Sequence, residues 1–267
     1  MSKHIARKRF GQHFLCDHDI IAAIIAAIHP RPSDNLVEIG PGLGALTVPL
    51  IAHLAHFHVI ELDRDIVARL QRTYSPDKLS IHACDALGFD FASLGTGLRI
   101  VGNLPYNIST PLLFHLAEFS THIVDIHVML QKEVVARMTA SPNSHDYGRL
   151  SVMLQYRFEM EALFEVPPTA FDPPPKVDST VVRMIPRSAE QMQAHSLASL
   201  ARVVSTAFAQ RRKTLRNTLA SLLDAADFTH LGIDPQRRAE TVAVADFIRI
   251  ANYIELKTHQ CALQETL

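Results

Sequence analysis

Short apolar runs alternate with helical stretches along the first 187 residues. The runs are NLVEIG (35–40), FHVIELD (57–63), LSIHACDA (79–86), LRIVGN (98–103) and DIHVML (125–130). They are apolar on consecutive residues, which predicts strands of a parallel sheet buried on both faces, and the helical stretches between them give a βαβ rhythm. GRLSVMLQYRF (148–158) predicts a helix. EMEALFEV (159–166) and VDSTVVRMIP (177–186) predict two closing strands around the Pro-rich loop PPTAFDPPPK, for about seven strands. From Ser188 the strands stop. HSLASLARVVSTAFAQ, RRKTLRNTLASLL and VADFIRIANYIE instead carry apolar residues at spacings of three and four, the helical period. The expected organisation is an α/β domain over residues 1–187 and a small all-helical domain over 188–267.

Composition narrows the class. A chain of 267 residues, 48% hydrophobic, is too apolar for disorder and long enough for a large core plus a second small domain. Its longest apolar run, IIAAIIAAI (20–28), falls far short of the roughly 20 residues a bilayer span needs, so no membrane contact is expected. The basic start MSKHIARKRFGQHF has no apolar core or cleavage site behind it and does not resemble a secretory signal, which points to the cytoplasm. Cys16, Cys84 and Cys261 are odd in number and far apart, an argument against a disulfide framework or a thiolate metal site. His53, His56 and His58 lie close together without an acidic or cysteine partner at ligand spacing, and no metal is expected there.

The net charge of −1 conceals two basic clusters. Lys3, Arg7, Lys8 and Arg9 crowd the start, and Arg202, Arg211, Arg212, Lys213 and Arg216 fall in 191–223, in both cases without one acid. Such runs are either solvated faces or phosphate grips.

Ligands of an open parallel sheet sit outside the carboxyl ends of its strands. The first strand runs into the glycine turn EIGPGLGAL, the second into Glu61, the third into Asp85 and the fourth into Asn103. Gly40, Gly42 and Gly44 let the backbone approach a ligand closely. Read as G-x-G-x-x-A with Glu61 about 20 residues on, the turn admits a nicotinamide dinucleotide; S-adenosylmethionine, whose ribose also offers a diol, fits equally. Asp85 can accept from an adenine amine, and an acidic pocket suits a sulfonium better than a pyrophosphate, which favours S-adenosylmethionine. Glu38 either orients the glycine loop or meets the cofactor's amino-acid part.

NLPY (103–106) then acquires a chemical reading. An adenine exocyclic amine is a poor nucleophile because its lone pair is delocalised into the ring. The Asn103 side-chain oxygen and the Leu104 carbonyl can accept its two hydrogens and favour a tetrahedral, attacking nitrogen. Pro105 keeps the preceding residue out of helical geometry, and Tyr106 offers a face for base stacking, worth about 1–3 kcal/mol. In-line methyl transfer needs alignment and preorganised acceptors rather than a general base.

These motifs, with RKRFGQHFL, VIELDRD, MLQKEVVARM, YGRLSV, FDPPPKVDSTVVR, AFAQRRKTLRN and GIDPQRRAE, run through most of the chain in order. The sequence resembles the ribosomal RNA small-subunit adenine dimethyltransferases. That resemblance implies a Rossmann-like seven-stranded methyltransferase sheet and dimethylation of two adjacent adenosines in the 3′-terminal hairpin of small-subunit (16S) rRNA. It implies that His13, Leu15, Gly40, Gly42, Glu61, Asp85 and Asn103 hold S-adenosylmethionine, and that Tyr106 and Phe171 sandwich the target base beside Asn103, Leu104 and Pro105. It also implies that Arg7, Lys8, Arg9, Arg211, Arg212, Lys213 and Arg216 grip RNA in the immature small ribosomal subunit, with the chain acting as a monomer. His13 departs from the family, which commonly has Asn there. The alternatives are a non-catalytic assembly factor, a large-subunit rRNA adenine methyltransferase and a nicotinamide-dependent oxidoreductase. For Arg237 and Arg238 the choice is between RNA contact and pairing with Glu240.

Overall fold

The structure, a computed structural model, describes residues 13–264, with side chains through residue 258. The chain divides into two compact units. One takes the residues up to Val135 together with Glu159–Pro186; the other takes Ala136–Phe158 and the residues from Arg187 on. The boundary read from the sequence, 187/188, differs in leaving 136–158 with the first domain.

The strands are β1 (Phe14–Leu15), β2 (Asn35–Ile39), β3 (Phe57–Ile60), β4 (Leu79–His82), β5 (Leu98–Asn103), β6 (Ile123–Gln131), β7 (Phe158–Val166), β8 (Phe171–Asp172) and β9 (Ser179–Pro186). Seven form one sheet in the order β4-β3-β2-β5-β6-β9-β7. It is parallel from β4 to β6, and β9 runs antiparallel to β6. Consecutive residues of β2 and β5, Leu36 and Val37, Ile100 and Val101, are fully buried, as expected for strands covered on both faces. The connecting helices include α1 (His18–Ile28), α2 (Thr47–His53), α3 (Arg64–Thr73) and α4 (Ser109–Glu118). Asp17 and Asp63 cap α1 and α3 by accepting from the N–H of Asp19 and Asp65. Because β2 lies between β3 and β5, the strand order reverses beside it and opens a crevice at the carboxyl ends. Gly102 sets how closely those strands meet, since a Cβ there would stand 2.5 Å from the Ile39 carbonyl oxygen.

Helix α5 (Lys132–Thr139) spans the boundary between the units. The second unit contains α6 (Arg149–Arg157), α7 (Leu197–Ala207), α8 (Leu215–Thr218), α9 (Ala225–Leu231) and α10 (Val244–Gln264), with Leu200, Val203, Val204, Phe247 and Ile250 fully buried. RRKTLRNTLASLL, expected to be helical, holds only the four residues of α8. Its backbone bonds elsewhere: the Leu215 and Arg216 amides donate to the carbonyls of Arg237 and Pro235, and Thr214 bridges to Arg238. Residues 136–158 join this unit through bonds such as Tyr147 Oη to the Val242 carbonyl, 2.8 Å, and the Asn143 amide to the Glu240 carbonyl, 2.8 Å. Among the described residues, no helix is long and apolar enough to cross a membrane.

Candidate active site

The carboxyl ends of β2 to β5 border a cavity of about 1340 Å³ in the first unit. The glycine turn that follows β2 is left-handed at Gly40 and Gly42, with φ of +69° and +54°. A Cβ on Gly42 would also press the Phe14 ring at 3.3 Å, so this stretch of the wall is bare backbone.

Three carboxylates border the cavity from successive strand ends. Glu38, buried in β2, accepts from Thr47 Oγ1 at 2.7 Å. Burial raises its pKa to about 7; the Thr47 hydrogen bond works against that shift and the charge of Glu61 adds to it. Glu61 is held open by backbone donors, with Oε1 2.8 Å from the Asp63 amide and Oε2 3.4 Å from the Gly42 amide. Burial outweighs those bonds and raises its pKa as well. Asp85 is exposed and caps the turn Ala86–Gly88, Oδ1 accepting from the Leu87 amide at 2.9 Å.

Asn103 ends β5, and its Nδ2 donates to the His13 carbonyl at 3.0 Å. Only the amide nitrogen can face a carbonyl, so this bond fixes which end of the side chain is which and leaves Oδ1 as the outward acceptor. The Leu104 amide donates to the Met129 carbonyl, whereas among the described residues nothing donates to the Leu104 carbonyl. The Pro105 carbonyl is occupied by the Ile108 amide and Ser109 Oγ, which start α4. Tyr106 Oη lies 2.6 Å from Ser179 Oγ. The His13 imidazole stacks on the Tyr106 ring, centroids 5.7 Å apart at 26°, and its Nδ1 lies 2.8 Å from the Pro173 carbonyl.

Phe171 is placed apart from the other expected site residues. Strand β8 pairs with β1 so that Leu15 faces Phe171 and Phe14 faces Asp172. Alternation sends Leu15 and Phe171 inward, and Phe171, 3% exposed, belongs to the core. Asp172 and Pro173, the residues that follow it, line the cavity, whereas Phe171 does not. His13, Leu15, Gly40, Gly42, Glu61, Asp85, Asn103, Leu104, Pro105 and Tyr106 all border the cavity.

Arg7, Lys8 and Arg9 lie outside the described residues. Arg211, Arg212, Lys213 and Arg216 are exposed, and Arg211 donates to the His145 carbonyl at 2.6 Å. Arg238 stands 3.9 Å from Glu240, whereas Arg237 pairs with Asp246 at 3.4 Å, a partner not read from the sequence. His58 Nδ1 lies 3.2 Å from His82 Nε2, and no group able to hold a metal ion is present among the described residues. Sequence reasoning missed Thr47 and Ser179; the motif ending FDPPPKVDS was the available signal for the second.

A doubly wound sheet with a glycine turn and carboxylates at its switch point defines a Rossmann-like enzyme, and its structural neighbours are methyltransferases. The chain belongs to the ribosomal RNA adenine dimethylase family, whose description matches residues 3–256. It is similar to the ribosomal RNA small subunit methyltransferase A of Aromatoleum aromaticum, 64% identical over 258 residues covering 97% of each chain. The same-named protein of Thiobacillus denitrificans is 63% identical over 94% of this chain and 98% of its own. Among solved structures, a dimethyladenosine transferase from Plasmodium falciparum matches with a TM-score of 0.78 at 25% identity, covering 89% of this chain and 96% of that one. A 23S rRNA methyltransferase, ErmE, gives 0.68 at 25% identity over 91% and 99%.

Proposed function

We propose that the chain dimethylates the N6 amines of two adjacent adenosines in the 3′-terminal hairpin of small-subunit rRNA, using S-adenosylmethionine, and that it acts as a cytoplasmic monomer on the immature small subunit. The observation that carries the site assignment is the Asn103 to His13 bond, which leaves Oδ1 as an acceptor at the end of β5. Asn103 Oδ1 and the Leu104 carbonyl accept the two amine hydrogens and hold the nitrogen lone pair out of conjugation. Tyr106 stacks the base. Both acceptors are fixed before substrate arrives, so little reorganisation is needed at the moment of reaction.

The donor set fits S-adenosylmethionine. Glu38, Glu61, Asp85 and Asp172 border the cavity against one guanidinium, that of Arg69. This balance favours a cationic ligand and disfavours a diphosphate. Gly40 and Gly42 give the ligand bare backbone, Glu61 takes a ribose diol, Asp85 an adenine amine through Oδ2, and His13 and Leu15 complete the rim. When bound, the cofactor supplies an electrophilic methyl group on a sulfonium.

Arg211, Arg212, Lys213 and Arg216, with Arg7, Lys8 and Arg9, hold the RNA backbone. Neutralising Arg211, Arg212 and Lys213 should flatten the salt dependence of RNA binding by about one unit of slope per lost phosphate contact; an unchanged slope would make them solvated surface. The proposal as a whole is tested by incubating the protein with labelled S-adenosylmethionine and undermethylated small-subunit particles and mapping the product. Label on two adjacent adenosines of the 3′-terminal hairpin is expected. Label confined to large-subunit RNA, or none, would overturn it.

A further inference from the structure

The motif FDPPPKVDS closes on Ser179, a residue with no role in the chemistry above. Its side chain is fully buried, and its backbone is fixed where β9 begins. Ser179 pairs with Gln131 of β6, and the neighbouring Asp178 carbonyl accepts from the Lys132 amide at 3.0 Å. Tyr106 is placed differently, in the turn between β5 and α4, with a half-buried side chain. The anchor at the far end of its ring is Ser179 Oγ, 2.6 Å from Oη, and no other polar partner of either hydroxyl is present among the described residues. Burial raises the pKa of Tyr106 against the opposing effect of the Ser179 bond, so the phenol stays neutral.

We infer that Ser179 is a positioning residue for methyl transfer: held in the sheet, its hydroxyl fixes, through Tyr106 Oη, the plane of the ring on which the target adenine stacks. The His13 imidazole stacks on one face of the ring but does not hold its far end; without Ser179 the ring could tilt about its side-chain torsions, and a tilted platform would carry the amine off the line of attack, where alignment supplies much of the rate. The inference rests on the proposed reading of Tyr106 as the base platform.

The experiment is a double-mutant cycle on the full chain: Ser179→Ala, Tyr106→Phe and the pair, with Tyr106→Ala alongside. Each is assayed for kcat and KM with a small-subunit RNA substrate, for S-adenosylmethionine affinity by calorimetry and for melting temperature. Ser179→Ala and Tyr106→Phe should each lower kcat/KM by roughly three- to tenfold, the range of one neutral hydrogen bond, without changing cofactor affinity. The pair should lose no more than either alone. Additive losses, or wild-type kcat/KM in Tyr106→Phe, would overturn the inference; the second result decides the matter even if Ser179→Ala fails to fold. An inactive Tyr106→Ala beside fully active Ser179→Ala and Tyr106→Phe would overturn this inference while leaving the platform in place. Wild-type activity in Tyr106→Ala would overturn the platform itself.

Discussion

The two ends of strand β5 treat charge in opposite ways. At the amino end, Arg99 grips Asp125 through Nε and Nη2 at 3.0 and 2.8 Å and Asp34 through Nη1 at 2.6 Å, and Nη2 also closes α1 by donating to the Ile28 carbonyl. Around the carboxyl end, on or just past the neighbouring parallel strands β2, β3 and β4, Glu38, Glu61 and Asp85 receive only a hydroxyl and backbone amides, and among the described residues no Lys or Arg pairs with them. A neutralised carboxylate holds structure together. One left without a cation in a partly buried site has its pKa displaced, as Glu38 and Glu61 do, and is ready for a cation from outside. Strand β5 thus carries a structural anchor, Arg99, four residues before Asn103, its own contribution to the functional rim.

Mutations at the two ends should therefore separate activity from stability. Asn103→Ala, at the rim, should lower the methyl-transfer rate by about 10²- to 10³-fold while RNA binding and the denaturant midpoint hardly move; a variant retaining most of its rate would contradict the acceptor role. Arg99→Met, at the anchor, should cost about 3 kcal/mol by leaving Asp34 and Asp125 without their cation. That loss is read in chemical denaturation, and the activity of the folded fraction should be preserved. Equal losses of rate in both variants would erase the distinction.

Glu61→Gln sharpens it further. Removing a buried carboxylate that no cation neutralises should raise stability slightly, by up to about 1 kcal/mol, while weakening S-adenosylmethionine binding in calorimetry. A destabilised variant with normal cofactor affinity would mean that Glu61 is structural.

The smallest effect expected is a pH dependence set by Glu38. Its pKa in the folded protein is raised from the ordinary 4.5 to about 7. The stability it contributes is therefore complete below about 4.5 and is lost as pH rises through about 7. The free protein should melt at a lower temperature at pH 8 than at pH 6, and a bound cation should narrow that gap. Melts that are parallel with and without S-adenosylmethionine would remove Glu38 from the site.

Much of this was legible in the sequence for physical reasons. The sheet strands show as continuous apolar runs because both faces are covered, and the glycine turn, Glu61, Asp85 and Asn103 follow from where those runs end. What was hidden depends on partners distant in sequence. The orientation of Asn103 is set by the His13 carbonyl, 90 residues away, and Phe171 turns inward because a two-residue strand pairs it with Leu15, a register too short to leave a pattern. The grouping of residues 136–158 with the second unit and the break in the helix expected over 211–223 were hidden because local periodicity says nothing of the carbonyls at Arg237, Glu240 and Val242 that receive their hydrogen bonds.

The reserved charge of the rim is tested most directly by calorimetric titration of the intact protein at pH 7 with S-adenosylmethionine and, separately, with NAD. One saturable site for S-adenosylmethionine, with net proton release measured across buffers of different ionisation enthalpy, and no binding of NAD is the expected result. Binding of NAD, or no binding of S-adenosylmethionine, would contradict it.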